Sequence, residues 1–318
     1  MTRPASSTAS VERPVLVLVG PTACGKSDLA LAIAEHVGGE LVSCDSMQVY
    51  RDLPIGTAQP TAAEQMRVPH HLVGCLELQE TWNANRFVPA AKKICREIRA
   101  RGKLPIIVGG TGLYARALCY DFQLLPSDPA LAADLRMESM TPEGCVRLCE
   151  ELSGAGPVPD DLQRNPRHLA RAVEVFRLTG QAPWQLRQRS QEPLPGFRQV
   201  CLMPLFATLK ERIRRRTREM LARGWIEEAR LALAKGLASA PTAWQALGYR
   251  DIAQYLAGNG PASETELAEI LANRTIQYAR RQLTWFRHQH PGATMISIPD
   301  YTAGFREELL DKLHNIIM

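Results

Sequence analysis

The segment Gly20–Ser27 constrains the fold of this chain more than any other feature. It reads Gly-Pro-Thr-Ala-Cys-Gly-Lys-Ser and matches the pattern G-x-x-x-x-G-K-[ST]. A continuous apolar run, Pro14–Val19, precedes it, and a helical pattern follows from Ser27 to about Val37. In such a loop, glycines let backbone N–H groups close around phosphate oxygens, the lysine neutralises charge and the serine reaches Mg²⁺. The spacing and the flanking elements therefore predict a phosphate-binding loop.

Further apolar runs follow along the chain, with helical patterns between them. An amphipathic helix is predicted from about Pro89 to Arg101. Strands that alternate with helices and turn residues favour a doubly wound core, in which helices cover a parallel sheet. We therefore predict an α/β fold with a P-loop NTPase-like core. The predicted strands are Pro14–Val19, Glu40–Cys44, Leu104–Val108, Val200–Leu205 and Thr294–Ile298.

Residues 121–197 differ from the rest of the chain. They contain no good strand and several short helical patterns separated by breaks rich in Pro and Gly. One helix is marked at both ends, with Asn165 as N-cap, Pro166 at its first position and Gly180 just past its end. The predicted organisation is a flexible leader at 1–13, a core formed by 14–120 and 198–318, and a helical insertion domain at 121–197.

Composition restricts the class of protein. Of the 318 residues, 45% are hydrophobic and 22% charged, as in ordinary globular proteins. No apolar run approaches the length of a membrane-spanning helix, and the first dozen residues lack a secretory signal. We therefore expect a cytoplasmic monomer that does not contact a membrane. The net charge of +5 points weakly to an anionic partner, and the eight cysteines, without a CxxC pair, are expected to be reduced and buried.

The phosphate loop leaves the bound compound open. Most proteins with this loop act on ATP or GTP, so a kinase for small metabolites is the first hypothesis. Against it, no run of four apolar residues ends in the Asp that holds Mg²⁺ in ordinary nucleotide triphosphatases. The nearest candidate is Asp45, at the carboxyl end of the second strand, where ligands bind in an open α/β sheet. From position alone, Asp45 is a general base, a Mg²⁺ ligand or a helix N-cap.

The helix predicted to begin at Leu209 carries many arginines. At 100° per residue, Leu209, Ile213 and Met220 form one apolar stripe. Arg216 falls in the middle of this stripe, and Arg212 falls at its edge. An arginine on a buried face needs an anionic partner, which is either an internal acid or a bound anion.

Six segments follow one another between about Pro14 and Arg287, and together they resemble the tRNA dimethylallyltransferases, also called isopentenyltransferases. The segments are the phosphate loop, Asp45–Ala58, Pro69–Leu72, Gly109–Tyr114, Trp244–Arg250 and Tyr278–Arg287. The combination of DSMQVY, GGTGLY and Arg-Gln-x-Thr-Trp-Phe-Arg is close to diagnostic. The resemblance is nearest to the bacterial form, which has the helical insertion and lacks a C-terminal zinc finger. Cys24 is a departure, since Ser, Gly or Ala is commoner there.

The resemblance implies transfer of a dimethylallyl group from dimethylallyl diphosphate to N6 of the adenosine immediately 3′ of the anticodon in tRNA, with release of diphosphate. The acceptor amine is a poor nucleophile, so a base is useful, and Asp45 is our choice. Lys26, Mg²⁺ held by Ser27, the loop amides and Arg216 would stabilise the leaving diphosphate, and Thr22 joins the catalytic group. The predicted diphosphate-binding residues are Gly20, Pro21, Thr22, Ala23, Cys24, Gly25, Lys26 and Ser27.

By the same resemblance, the anticodon stem-loop contacts several segments, and Asp45–Gln48 clasps the target base. The alternative for Thr22 and Thr111 is that each caps a helix. The pair His70 and His71 has no third ligand at metal spacing, and we interpret it as structural or at the substrate edge. The predicted RNA-binding residues are Asp45, Ser46, Met47, Gln48, Thr111, Arg167, His168, Leu169, Ala170, Arg171, Gln245, Ala246, Leu247, Gly248, Tyr249, Arg250, Arg280, Arg281, Gln282 and Arg287.

Overall fold

The structure is a computed structural model that describes residues 14–120, 124–186, 192–298 and 307–313. The chain divides into two compact units. The core unit comprises 1–120 and 191–318, and the helical unit comprises 121–190. The leader predicted at 1–13 lies outside the described residues.

A six-stranded sheet forms the centre of the core unit. Its strands are β1 (Val15–Val19), β2 (Gly39–Ser43), β3 (His70–His71), β4 (Leu104–Gly109), β5 (Phe197–Pro204) and β6 (Thr294–Ile298). Their order is β3-β2-β4-β1-β5-β6, and every pair is parallel. The predicted α/β, P-loop NTPase-like core is confirmed.

The central position of β1 explains its sequence. All five of its residues are buried, because β4 and β5 flank it and helices cover the sheet. A strand buried on both faces shows a continuous apolar run and no alternation. Since all strands are parallel, the residues that follow β1, β2 and β4 meet at one edge of the sheet. This edge carries the candidate site.

Four helices precede the helical unit. They are α1 (Lys26–Val37), α2 (Ala62–Arg67), α3 (Ala84–Ala100) and α4 (Gly112–Cys119). The predicted start of α3 at Pro89 is wrong. The side chain of Asn83 caps the helix by accepting a hydrogen bond from Arg86 N at 3.1 Å, and Pro89 lies inside the helix. Asparagine is a favoured N-cap residue, so the sequence does carry a local signal for the observed start.

The helical unit contains only helices among its described residues, 124–186. They are α5 (Pro129–Glu138), α6 (Pro142–Ser153), α7 (Asp160–Gln163), α8 (Pro166–Thr179) and α9 (Pro183–Leu186). The ends of α8 are those that the sequence predicts. Asn165 accepts a hydrogen bond from His168 N at 3.3 Å, and Gly180 adopts a φ of 72° after the last turn. Leucines from α5, α6 and α8 form the apolar core of this unit.

Four α-helices of the core unit lie between β5 and β6, and residues 307–313 form a further helical segment. The four are α10 (Phe206–Ala222), α11 (Trp225–Ala234), α12 (Tyr249–Leu256) and α13 (Glu264–Gln289). Helix α13 packs against α10, α12 and α4, so it runs past the site edge of the sheet. Its side chains Leu283 and Ala279 join the apolar cluster formed by α1, α10 and the sheet.

Five of the eight cysteines are buried as predicted, whereas Cys145 and Cys149 are only partly buried and Cys75 is exposed. All eight thiols are free, and Cys24, Cys44, Cys95, Cys119 and Cys201 are buried. Cys75 is exposed, so the expectation of burial is wrong there. No helix in the described part of the chain is long and apolar enough to cross a membrane.

Candidate active site

The phosphate loop connects β1 to α1. Ala23 and Gly25 adopt positive φ values of 63° and 79°, and this alternation turns the backbone into a concave path. The helix begins at Lys26, so its unpaired N–H groups lie beside the loop. The ammonium of Lys26 donates a hydrogen bond to Pro21 O at 3.2 Å and therefore lies over the loop. The buried Cys24 thiol has a raised pKa because it is removed from water, so it stays neutral.

Two arginines of α10 contact the outer side of the phosphate loop. Arg216 donates from Nη2 to Thr22 Oγ1 at 2.6 Å, and Arg212 donates from Nε to Ala23 O at 2.8 Å. Burial lowers the pKa of Arg216, while the Asp45 carboxylate acts in the opposite direction. Across the described ranges, no ion pair joins Arg216 to a carboxylate, so the internal salt bridge that we considered is not observed. The guanidinium is thus placed to meet an anion in the loop.

Gln282 of α13 joins the phosphate loop to the loop after β4. Its Oε1 accepts a hydrogen bond from Thr22 N at 2.8 Å, and its Nε2 donates to Gly110 O at 2.8 Å. The side chain is only 6% exposed. A Cβ at Gly110 would lie 2.6 Å from Gln282 Nε2, so this approach requires glycine. The RNA contact predicted for Gln282 stays a prediction, and in this structure its amide is buried and hydrogen-bonded inside the protein.

Asp45 follows β2 and begins a tight turn. Its Oδ1 accepts hydrogen bonds from Met47 N at 2.8 Å and from Gln48 N at 3.3 Å. The helix N-cap considered for Asp45 is not observed, because the residues that follow form a turn and no helix, and Asp45 Oδ1 caps this turn instead. The other oxygen, Oδ2, accepts no hydrogen bond from the part of the chain that the structure describes. The turn fixes the orientation of the carboxylate and leaves Oδ2 for a base or a metal ligand.

Thr111 holds the same turn from the loop after β4. Its Oγ1 accepts a hydrogen bond from Ser46 N at 3.1 Å, and its N–H donates to Cys44 O at 3.2 Å. Although Thr111 occupies the N-cap position of α4, its side chain makes no capping hydrogen bond. Thr22 also uses its hydroxyl elsewhere, as the acceptor for Arg216. Neither threonine therefore acts as the side-chain helix cap that we considered.

Gln48 connects the turn to residues further along the chain. Its Oε1 accepts from Ser43 Oγ at 2.8 Å, and its Nε2 donates to Ala58 O at 2.9 Å and to Thr57 O at 3.3 Å. The amide is therefore committed to internal contacts. We call residues 45–58 the acceptor segment.

Several predicted RNA contacts are buried. Leu169 and Ala170 belong to the apolar core of the helical unit, and Tyr249 is fully buried in the core unit. Arg171 pairs with Glu174 at 2.6 Å and donates to Leu125 O at 3.0 Å. The side chains of Leu169, Ala170 and Tyr249 are therefore packed inside the protein, whereas the Arg171 side chain is 37% exposed.

Other predicted contacts are at the surface. Arg250 lies over the ring of Trp244 at 5.4 Å, Arg280 over Phe206 at 4.9 Å and Arg281 over Tyr278 at 5.9 Å. Such stacked guanidinium groups keep their charge exposed. The predicted residues that are exposed are Arg167, His168, Gln245, Arg250, Arg280, Arg281 and Arg287.

Tyr278 belongs to the site although our sequence reasoning did not select it. It is half-buried, and its pKa is raised by burial and then by the Asp45 carboxylate. Its position could have been found from helix periodicity. Tyr278 and Gln282 are four residues apart on α13 and so share one face.

The site contains oxygen donors that suit Mg²⁺. The Ser27 side chain is exposed in the first turn of α1, and Asp45 Oδ2 has no internal partner among the described residues. Within those ranges, no three His, Cys, Asp or Glu side chains form a metal-binding group. A few oxygen ligands without a closed protein cage are typical of Mg²⁺ bound together with a phosphorylated substrate.

His70 and His71 are structural. His71 Nε2 lies 2.7 Å from Glu40 Oε2, and His70 Nδ1 lies 2.8 Å from Val68 O. Both residues form the short edge strand β3.

Comparison with known proteins agrees with this arrangement. A family model described as IPP transferase matches residues 48–289, and a model described as Isopentenyl transferase matches residues 13–70. A tRNA dimethylallyltransferase of Thermus thermophilus is 41% identical over 306 residues, which cover 94% of this chain and 97% of that protein. One of Geobacillus kaustophilus is 40% identical over 283 residues, which cover 87% and 88%.

Solved structures extend the likeness to three dimensions. A crystal structure of a full-length tRNA isopentenylpyrophosphate transferase from Bacillus halodurans matches with a TM-score of 0.69 and 32% identity, over 96% of this chain and 97% of that one. A corresponding enzyme from Staphylococcus epidermidis gives a TM-score of 0.68 at 28% identity, over 95% and 98% of the two chains. With family models and relatives that span most of its length, the chain belongs to the IPP transferase family, that of the tRNA dimethylallyltransferases.

Proposed function

We propose that this enzyme transfers the dimethylallyl group of dimethylallyl diphosphate to N6 of the adenosine immediately 3′ of the anticodon in tRNA, and releases diphosphate. Its family membership supports the reaction class. The observation that carries the proposal is the meeting of a phosphate loop and an acid-bearing turn at one edge of the sheet, joined through Gln282 and Thr111. A donor and an acceptor bound there would lie side by side.

The phosphate loop would bind the diphosphate of the donor. Loop amides and the N-terminus of α1 face the anion, and Lys26 moves from Pro21 O to a phosphate oxygen. Arg216 lies against the loop through Thr22 and faces the charge that develops as the carbon–oxygen bond breaks. These groups stabilise the leaving diphosphate more than the intact donor, because the leaving group carries more negative charge.

The residues present fit a Mg²⁺ ion bound with the donor. Ser27 supplies a hydroxyl, as serine at this position of such loops does, and oxygens of the bound diphosphate would supply further ligands. Bound Mg²⁺ would neutralise part of the diphosphate charge. The protein alone lacks a closed metal cage within its described residues, so we expect metal affinity to rise when the donor binds.

Asp45 would take the proton from the acceptor amine. The lone pair of N6 is delocalised into the adenine ring, so proton removal assists its attack on the first carbon of the prenyl group. The turn holds Oδ1 through two backbone N–H groups, and this leaves Oδ2 as the proton acceptor. A carboxylate whose orientation is set before the substrate arrives needs no reorganisation during the reaction.

The anticodon loop would bind through exposed arginines and a base that leaves the stack. Arg250, Arg281 and Arg287 are exposed on α12 and α13 of the core unit. Unstacking costs a few kcal/mol, and it costs less in a single-stranded loop than in a duplex. Because tRNA is the acceptor, we also propose a cytoplasmic location.

The test is transfer itself. Incubation with isotope-labelled dimethylallyl diphosphate, Mg²⁺ and an unmodified tRNA transcript should place the label on one adenosine, identified by mass spectrometry of digested nucleosides. ATP should neither replace the donor nor be hydrolysed above background when tRNA is present. Labelled RNA that appears only with ATP, or a tRNA-stimulated ATPase, would instead support the kinase hypothesis.

A further inference from the structure

Glu228 of α11 is a buried acid that no part of the proposed reaction uses. Its side chain accepts hydrogen bonds from Ile55 N at 2.5 Å, from Gly56 N at 2.9 Å and from Tyr249 Oη at 2.5 Å. The residue is 9% exposed. A buried charge is costly unless it is hydrogen-bonded, and three donors that converge on one carboxylate meet this requirement.

The geometry requires a carboxylate at this position. Gly56 N and Tyr249 Oη both donate to Oε1, while Ile55 N donates to Oε2. Glutamine has one carbonyl oxygen in place of the two carboxylate oxygens. Whichever way its amide is oriented, the NH₂ group faces one of the two backbone N–H groups. One donor would then remain buried without an acceptor, which is unfavourable.

The packing around Glu228 leaves no room for displacement. A Cβ at Gly56 would collide with Trp225 Nε1 and Tyr249 Oη. Gly248 adopts a φ of 93°, and a Cβ there would lie 2.6 Å from the Trp225 ring. The acceptor segment therefore contacts α11 and α12 at the level of its backbone, and Glu228 holds it there.

These contacts lead to the catalytic turn in two steps. Thr57 and Ala58, which directly follow Gly56, present the two carbonyl oxygens that receive Gln48 Nε2. Gln48 N in turn donates to Asp45 Oδ1. The peptide that Glu228 holds is thus adjacent to the peptides that hold Gln48, and Gln48 is one of the two donors that orient the Asp45 carboxylate.

We propose that Glu228 is a positioning residue for the transfer reaction. It acts through residues 55–58 and Gln48 on the orientation of the Asp45 carboxylate and on the place where the acceptor adenine binds. Through Tyr249 it also joins the acceptor segment to the segment Trp244–Arg250, which is a second predicted contact of the RNA. The two segments keep one relative position because the same carboxylate binds both. This inference rests on the proposed function.

The matched test compares Glu228→Gln with Glu227→Gln. Glu227 precedes it on α11 but is exposed and pairs with Arg230 at 3.1 Å. We expect Glu228→Gln to raise the KM for tRNA and to lower the single-turnover rate, each by about tenfold, because small misplacement of reacting groups costs this much or more. The affinity for dimethylallyl diphosphate, measured separately, should change less than twofold. Glu227→Gln should match the wild type in all three measurements.

A double-mutant cycle separates positioning from simple loss of stability. If Glu228 acts through Gln48, the effect of Gln48→Ala on rate should be much smaller in the Glu228→Gln background than in the wild type. Tyr249→Phe removes one donor and keeps the ring, and should shift tRNA KM and rate in the same direction by about threefold. This variant serves if Glu228→Gln does not fold.

Three results would overturn the inference. The first is an unchanged tRNA KM and rate for both Glu228→Gln and Tyr249→Phe. The second is a double variant of Glu228→Gln and Gln48→Ala whose effect on rate equals the product of the two single effects. The third is a loss of donor affinity in Glu228→Gln as large as the loss in tRNA KM. A lower melting temperature of Glu228→Gln with unchanged tRNA KM and rate would likewise overturn the inference. Absence of transfer by the wild type and by Glu227→Gln would overturn the proposed function together with this inference, whereas normal Glu228→Gln kinetics beside an active wild type would overturn the inference alone.

Discussion

The phosphate loop and the acceptor segment lie at the same edge of the sheet but obtain their shape differently. The loop takes its concave path from consecutive residues, through the positive φ values of Ala23 and Gly25 and the start of α1, although side chains of α10 and α13 also contact it. The acceptor segment is held by Thr111, Glu228 and other side chains far along the chain. Recognition of an anion by backbone amides can be encoded locally, whereas orientation of one carboxylate toward a base needs groups from several elements. Variants that act on one region, or on both, test this difference.

The largest expected effect is on the donor side. Lys26→Ala should lower transfer by at least about a thousandfold, because it removes the cation that faces the leaving diphosphate. The affinity for tRNA should stay within twofold, measured by filter binding, since the loop serves the donor. Lys93→Ala, on the exposed face of α3, is the control and should change neither quantity. Equal loss of tRNA binding in Lys26→Ala would show that the two regions are not separate.

The acceptor side is tested by Asp45→Asn. The amide oxygen still accepts from Met47 N and Gln48 N, so the turn is kept while the proton acceptor is lost. The single-turnover rate should fall by roughly two to four orders of magnitude. Donor affinity should barely change.

A Mg²⁺ series distinguishes the two remaining roles of Asp45. If Asp45 were mainly a metal ligand, Asp45→Asn would weaken donor binding and excess Mg²⁺ would restore part of the rate. A rate restored by the metal would remove Asp45 from its role as base.

Substitution of Gln282 should affect the donor side and the acceptor side together, because its amide contacts the loops after both β1 and β4. Gln282→Leu leaves Thr22 N and Gly110 O without their partner, and we expect donor affinity and tRNA affinity each to fall by about tenfold. Gln277→Leu, at an exposed position on the same helix, is the control. A loss confined to one substrate would mean that Gln282 supports only one of the two regions.

A smaller effect is expected at the basic surface. Arg281→Glu should weaken tRNA binding and reduce the slope of log affinity against log salt, because fewer counterions are released. Donor affinity should not change, since the exposed Arg281 side chain stacks on Tyr278 and makes no contact with the phosphate loop. An unchanged salt slope would place Arg281 off the RNA.

The smallest kinetic effect is expected from a stability variant remote from both regions. Burial alone raises the pKa of Glu40, but hydrogen bonds from Arg101, His71 and Lys103 outweigh it and bring the pKa to about 2. The folded-state pKa is below the ordinary value, so the stabilisation is present above the unfolded pKa and is lost as the pH falls toward 2.

Urea unfolding of Glu40→Gln measures this stabilisation. At pH 7 the variant should be less stable by about 3 kcal/mol, and the difference from the wild type should shrink between pH 5 and pH 2. Transfer kinetics at 25 °C should be unchanged for both substrates. A difference in stability that persists at pH 3 without reduction would contradict the ionic origin of the contribution.

The elements that the sequence predicted correctly are those with a strong local cause. The phosphate loop, the buried β1 and the caps of α8 follow from residue types at fixed spacing, and the family resemblance was confirmed. The start of α3 was predicted too late, at about Pro89, because the N-cap signal of Asn83 was not used. The strand β3 was missed because two polar histidines at a sheet edge carry no strand pattern.

The sequence by itself determined the anion-binding loop, the alternation of helices with five of the six strands along the chain, and the presence of an acid at the end of β2, because each depends on neighbouring residues. Only the tertiary structure decided that Gln282 holds two loops, that Leu169 and Ala170 are buried, and that Glu228 anchors a segment 173 residues away. Hydrogen bonds of this range leave no periodic trace in the chain. They depend on where folding brings a donor and an acceptor together, and that position is set by the packing of α10, α11 and α13 as a whole.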